Sequence, residues 1–127
     1  MEQVTFGAED IEKQLAQLSP TEIDQLPFGS IKVDRLGTIL EYNATEAGIA
    51  HRDRREVLGK NFFTEVAPCA QSPEFYGAFV EGVKAGKLNK IFHYTLEDDR
   101  FGSLPVKVHM KGAISGDGGY WIFVKRL

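Results

Sequence analysis

Tyr120-Trp121-Ile122-Phe123-Val124-Lys125 decides how this chain folds. As a strand it sets Trp121 and Phe123 on one face and Tyr120, Ile122 and Val124 on the other. Both faces are apolar. An antiparallel strand normally buries one face and wets the other, so this segment needs cover on each side.

The neighbouring segments supply the sheet. Val106, Val108 and Met110 alternate with Lys107, His109 and Lys111, and Phe92, Tyr94 and Leu96 alternate with Ile91, His93 and Thr95. The chain therefore closes in a three-stranded meander. Its last turn is read around Asp117, with Gly116, Gly118 and Gly119, and lacks the strand–loop–helix context of a phosphate loop. Earlier, Ser30 to Val33 and Thr38 to Tyr42 form a hairpin about Asp34-Arg35-Leu36-Gly37, with Leu40 and Tyr42 on a shared face.

The covers come from two helical regions. Ile11, Leu15 and Leu18 form a helical stripe behind Asp10 as a cap, and Ser19-Pro20-Thr21-Glu22 is a capping box with proline at the first helical position. With Phe6 they cover one face. The other cover begins with short helices at Asn43-Ala44-Thr45-Glu46 and Asp53-Arg54-Arg55-Glu56, the second stopped by Gly59. A longer helix opens at Ser72-Pro73, carries Phe75, Tyr76, Phe79, Val80 and Val83 on one side, and ends at Gly86. The fold expected is α+β: an antiparallel sheet with helices on both faces. Residues 1–28 form a small, weakly held cap on a core of residues 29–127 within one domain.

Composition narrows the function. The 127 residues are 43% hydrophobic and 26% charged, which describes a globular chain. A net charge of -3 argues against nucleic acid and acidic membranes as partners. No signal-like or membrane-spanning stretch is present, and the single cysteine suits a reducing compartment, so a cytoplasmic monomer is expected.

That cysteine, Cys69, follows Pro68 in Asn61-Phe62-Phe63-Thr64-Glu65-Val66-Ala67-Pro68-Cys69. Proline fixes its own φ and pushes Ala67 towards extended geometry, so Cys69 sits on a stiff turn. Most lone cysteines are small buried hydrophobes, which spacing and composition favour here; the alternative is a thiol used for covalent attachment or catalysis. As a catalytic nucleophile it would need a base among His51, His93 and His109, and the last two alternate with solvent-facing residue types, which makes them surface histidines. Metal ligands are not clustered. Tyr42 and Glu46 are four residues apart and converge if the chain coils after Asn43. Glu46 lies among small and apolar residues with no cation before Arg52. It either completes a cap with Asn43 or is a buried, protonated carboxyl; spacing favours the cap. Arg52 is most simply a surface charge.

Several stretches together resemble the photoactive yellow protein family, blue-light receptors of the PAS fold. They are Leu40…Tyr42-Asn43-Ala44…Glu46, Arg52-Asp53, Gly59-Lys60-Asn61-Phe62-Phe63, Val66-Ala67-Pro68-Cys69, Ser72-Pro73-Glu74-Phe75-Tyr76-Gly77 and Val106-Lys107-Val108-His109-Met110-Lys111. The set Tyr42, Glu46, Arg52 and Cys69 is the specific part, because the wider PAS superfamily does not share it. The resemblance reverses the simpler readings of Cys69 and Glu46.

It implies a non-enzymatic photosensor with p-coumaric acid held as a thioester on Cys69. Tyr42 and Glu46 would donate to its phenolate oxygen, and the Cys69 backbone N–H to its carbonyl. Arg52 would cover its ring, with Ala50, Ala67, Pro68, Leu96, Phe62 and the sheet aromatics around it. Light would drive trans-to-cis isomerisation, Glu46 would pass its proton to the phenolate, and partial unfolding exposing the Trp121/Phe123 face would be the signal to an unknown partner. Three departures stand out. Ala50 replaces a threonine that bonds Tyr42, so mixed chromophore protonation in the dark is expected. Leu96 replaces a phenylalanine beside the ring. Arg100-Phe101, in a shifted Asp98–Leu104 loop, occupies the place of a methionine that assists recovery. The competing readings are a PAS module with another ligand or none, and a cysteine-dependent enzyme lacking a convincing base.

Overall fold

The computed structural model describes residues 4–98, 102–112 and 119–127. Its strands are β1 (Gly29–Val33), β2 (Ile39–Tyr42), β3 (Asn89–Asp98), β4 (Gly102–Gly112) and β5 (Tyr120–Arg126). They form one antiparallel sheet in the order β2-β1-β5-β4-β3. The two-sided strand is the middle one, paired with β1 on one edge and β4 on the other. Central position and double burial have the same cause: each face of β5 supplies one hydrophobic layer.

On one face, Trp121 and Phe123 pack with Ile11, Leu15, Leu26 and Phe28. The cover is α1 (Ile11–Ala16), α2 (Pro20–Asp24) and the flanking chain with Phe6 and Leu18. Ser19 and Glu22 form the expected capping box at α2. Asp10 makes no side-chain cap at α1; it accepts instead from the Gln14 side-chain amide at 2.9 Å.

On the other face, Ile122 and Val124 join a larger core with Phe62, Phe63, Phe75 and Phe79. Its cover is α3 (Ala44–Ala50), α4 (Arg54–Val57), the segment through Cys69, and α5 (Ala78–Ala85). The helix read from Ser72 opens as a wide π-type turn, Pro73–Gly77, before α5 begins. That wider turn leaves Phe75 and Phe79 buried but turns Tyr76 outward, 40% exposed.

Two further expectations are corrected. Leu40 and Tyr42 do not share a face: β2 carries a bulge opposite Lys32 and Val33, so Ile39 and Tyr42 both point inward while Leu40 is exposed. The extra residue shifts the alternation by one and aims Tyr42 at the core. His109 is not at the surface but fully buried beneath the N-terminal cover, its ring against Phe6 and Phe123. His93 is exposed as expected. The turn around Asp117 and the Arg100-Phe101 pair lie outside the described residues.

Candidate functional site

The segment carrying Cys69 is built from local hydrogen bonds. The Asn61 side-chain oxygen accepts from the Phe63 and Thr64 N–H groups, and its amide donates to the Leu36 carbonyl at 2.7 Å. The Phe62 N–H donates to the Gly37 carbonyl at 2.8 Å. Gly37, at φ 92°, supplies the left-handed turn that lets the hairpin approach this closely. A π-type turn, Phe62–Val66, leads into a single 3-10 turn, Pro68–Ala70, and Cys69 sits in the middle of it. Its carbonyl accepts from the Tyr94 hydroxyl at 2.6 Å, and that hydroxyl also meets Ser72 Oγ at 2.9 Å. Cys69 is a free thiol, partly exposed.

Glu46 lies on the first turn of α3. The Asn43 side-chain oxygen caps that helix by accepting from the Glu46 N–H at 2.9 Å and takes the Ser30 N–H at 3.0 Å. The Glu46 carboxyl does not return to complete a capping box. It turns into the protein, 4% exposed, and Oε1 is buried without a hydrogen-bond partner. A Cβ at Gly29 would fall on that carboxyl, so the bare backbone of β1 is what gives Glu46 its place. Burial pushes the Glu46 pKa up to about 8, so the group is largely protonated at neutral pH. Burial also raises the Tyr42 phenol, helped by the charge Glu46 would carry and opposed by Arg52.

These residues face one cavity of about 780 Å³ between the sheet, α3 and the Cys69 segment. Cys69, Tyr42, Glu46, Arg52, Ala50, Phe62, Ala67, Pro68 and Leu96 all line it. Of the sheet aromatics expected as walls, Tyr42 on β2 lines the cavity and Phe92 and Tyr94 do not: these two pack edge-on against Phe75, 5.3 Å between centroids in each case, and β3, β4 and β5 contribute Leu96, Leu104, Val108 and Val124. The exposed side chains of Glu65, Glu97 and Arg126 border the cavity where it meets solvent.

The parts that Tyr94, Gly29 and Asn43 play in the site are not legible in the sequence. A tyrosine in an alternating strand carries no mark of where its hydroxyl ends. Asn43 carried a signal, since its cap position was legible; its second role was not. Its amide donates to the Ile23 and Phe28 carbonyls at 2.9 and 3.2 Å, tying the site to the N-terminal cover.

The arrangement offers a free thiol, a neutral carboxyl able to donate, a phenol and a cation around an apolar space. Among the described residues no group of three or more His, Cys, Asp or Glu side chains gathers as for a metal. No helix among them is long and apolar enough to cross a membrane.

Comparison with known proteins identifies the family. A family model described as PAS fold matches residues 20–127. The chain is 50% identical to the photoactive yellow protein of Rhodothalassium salexigens over the full length of both chains. It is 52% identical to that of Halochromatium salexigens over 98% of each. Among solved structures it resembles the photoactive yellow protein domain of the sensor histidine kinase Ppr from Rhodospirillum centenum, with TM-score 0.85 and 39% identity over 91% of this chain and 100% of that one. A PAS domain of an HTR-like protein from Haloarcula marismortui, at 17% identity and TM-score 0.67, shares the fold. The chain belongs to the photoactive yellow protein family, light-sensing proteins of the PAS fold.

Proposed function

We propose that this protein senses blue light through p-coumaric acid bound as a thioester to Cys69. The observation that carries the reading is the buried Glu46 carboxyl, neutral and with Oε1 unpartnered, on the same cavity as a free thiol. A phenolate buried in an apolar cavity persists where donors face it, and a second negative charge beside it would be expelled. Tyr42 and a protonated Glu46 are two such donors. When bound, the group supplies visible absorption and a light-driven trans-to-cis isomerisation.

The chain's own residues do the rest. Cys69 Sγ tethers, with its backbone held by Tyr94 and Pro68. Arg52 shields the cavity and lowers the cost of negative charge near Tyr42. Glu46 holds its proton in the dark and surrenders it in the light. A bare carboxylate at that depth costs several kcal/mol, a large part of a domain's typical stability of roughly 5–15 kcal/mol.

The strain has a route outward. Glu46 sits on the Asn43 cap, and Asn43 holds Ile23 and Phe28. Beside it, Thr45 Oγ1 donates to the Leu26 carbonyl, and the Ala44 N–H donates to Asp24 at 2.9 Å. Displacing the start of α3 therefore loosens residues 23–28, and release of the N-terminal cover is the output. That a photoactive yellow protein domain occurs within a sensor histidine kinase is consistent with a conformational output passed to a partner.

The test is to treat the apoprotein with activated p-coumarate and record mass and spectrum. A yellow adduct on Cys69 that bleaches reversibly in blue light is expected, with hydrogen exchange in residues 4–28 rising under illumination. No adduct leaves a plain PAS interaction module, and turnover of the thioester indicates an enzyme.

A further inference from the structure

The sheet face beneath the N-terminal cover is cationic although the chain as a whole is acidic. Lys32, Lys107, Lys111 and Lys125 share that face with Trp121 and Phe123, as the strand register requires. Lys107 and Lys125 stand directly opposite each other on β4 and β5. Like charges paired across strands are unfavourable. Among the described residues no carboxylate comes within ion-pair distance of either. Lys111 has Glu12 at 4.0 Å, and Lys32 lies 5.7 Å over the Trp121 ring with Glu41 at 3.8 Å.

The segment that covers this face has the opposite character. Residues 4–28 carry Glu9, Asp10, Glu12, Glu22 and Asp24 against one lysine, Lys13. Its apolar residues Ile11 and Leu15 enter the face while Glu12 reaches Lys111. The face thus already accommodates a short amphipathic helix that turns one carboxylate to a lysine, within a segment acidic as a whole, and the Lys107/Lys125 pair remains for further negative charge.

We propose that the face left by the departing cover is the docking site for a partner's acidic amphipathic helix, which replaces the chain's own cap in the light. This rests on the photosensor reading above. The partner helix would set apolar side chains at i and i+4 onto Trp121 and Phe123 and carboxylates towards Lys107, Lys111 and Lys125. Charge complementarity speeds such encounters and rejects basic partners.

The test uses the full chromophore-loaded chain and a synthetic peptide of residues 4–28 as the probe. The peptide is expected to bind at least tenfold tighter under blue light than in the dark and to slow dark recovery as its concentration rises. A peptide with Glu9, Asp10 and Glu12 changed to Gln, Asn and Gln should lose about tenfold, as should the Lys107→Gln/Lys125→Gln protein. Hydrogen exchange of residues 4–28 is followed in the same samples. If exchange rises in the light but the peptide neither binds nor slows recovery, the docking proposal falls and the photosensor reading stands. Equal binding of the neutralised peptide overturns the charge-matched partner. Light-driven binding to phosphatidylserine vesicles without any peptide effect assigns the face to a lipid surface and overturns it too. If exchange in residues 4–28 does not rise, the reading of cap release fails and takes the proposal with it.

Discussion

The two faces of the sheet are packed to different standards. Towards the cavity, Phe62, Phe63, Phe75 and Phe79 form a continuous aromatic cluster with centroids 5.1 to 5.9 Å apart, rooted in β3 through Phe92 and Tyr94. Towards the N-terminus, two helices of six and five residues sit on a smaller cluster. Polar satisfaction differs too. Among the described residues, Glu12 Oε2, Ser30 Oγ and His109 Nδ1 are buried without hydrogen-bond partners on the cover side, against Glu46 Oε1 alone on the cavity side. Each unpaired group subtracts stability. The cavity side carries one such group, on a carboxyl that lines the cavity; the cover side carries three, of which Glu12 keeps the Lys111 ammonium at 4.0 Å.

Truncating one anchor in each layer puts this to its strongest test. Phe75→Ala should lower global stability by about 3–5 kcal/mol, read from denaturant midpoints. Leu15→Ala removes a comparable buried side chain, yet its cost should appear as faster hydrogen exchange in residues 4–28 with a nearly unchanged global midpoint. Equal global losses would mean the cover is an integral part of the core.

Next in size is the ionisation of Glu46. Its folded pKa of about 8 lies above the unfolded value, so the apoprotein's stability is greatest below the unfolded pKa, near 4.5, and falls until about pH 8. The loss is on the order of several kcal/mol, because each tenfold difference in proton affinity between the folded and unfolded chain is worth about 1.4 kcal/mol. Glu46→Gln should flatten that limb in pH-dependent unfolding. A limb unchanged by the substitution would show that Glu46 is charged in the folded apoprotein.

The link between the layers comes third. Asn43→Ala leaves the Ser30 and Glu46 N–H groups and the Ile23 and Phe28 carbonyls short of partners, at about 1–3 kcal/mol. Exchange should rise in both α3 and residues 23–28; a rise confined to one would break the proposed connection.

The smallest effect belongs to His109, and its sign is opposite to that of Glu46. Burial, then Lys111, depresses its folded pKa to about 4, so its contribution is present above the unfolded value near 6.5 and is lost as pH falls towards 4. Within that window acid should loosen residues 4–28 by about 1–2 kcal/mol, less than the full proton-linkage energy because the surrounding packing yields first. Neighbours on that face are Asn89, at 2.8 Å from Nε2, and Phe6 and Phe123. His109→Phe should abolish the acid limb in hydrogen exchange.

Most of the architecture was written in local patterns. The two apolar faces of Tyr120–Lys125 demanded a central strand with two covers, and the Ser19–Glu22 box and the Asn43, Asp53 and Ser72 caps placed helix starts within a residue. Local patterns mislead where the fold overrides them at a distance. The β2 bulge reversed the reading of Leu40, and the lysine-flanked His109 was buried by a segment nearly a hundred residues upstream.

The candidate site divides along the same line. That Cys69 sits on a rigid turn is local, since a proline and an asparagine cap act within a few residues. Sequence alone could also match the set Tyr42, Glu46, Arg52 and Cys69 to a family. Only tertiary structure decided that Glu46 abandons its capping role and stays neutral, because a pKa depends on how much water and charge the surroundings admit. The same holds for Tyr94 gripping the Cys69 carbonyl and for Asn43 joining the cavity to the cap. Each of those bonds spans fifteen to twenty-five residues of chain, a separation at which no periodicity survives.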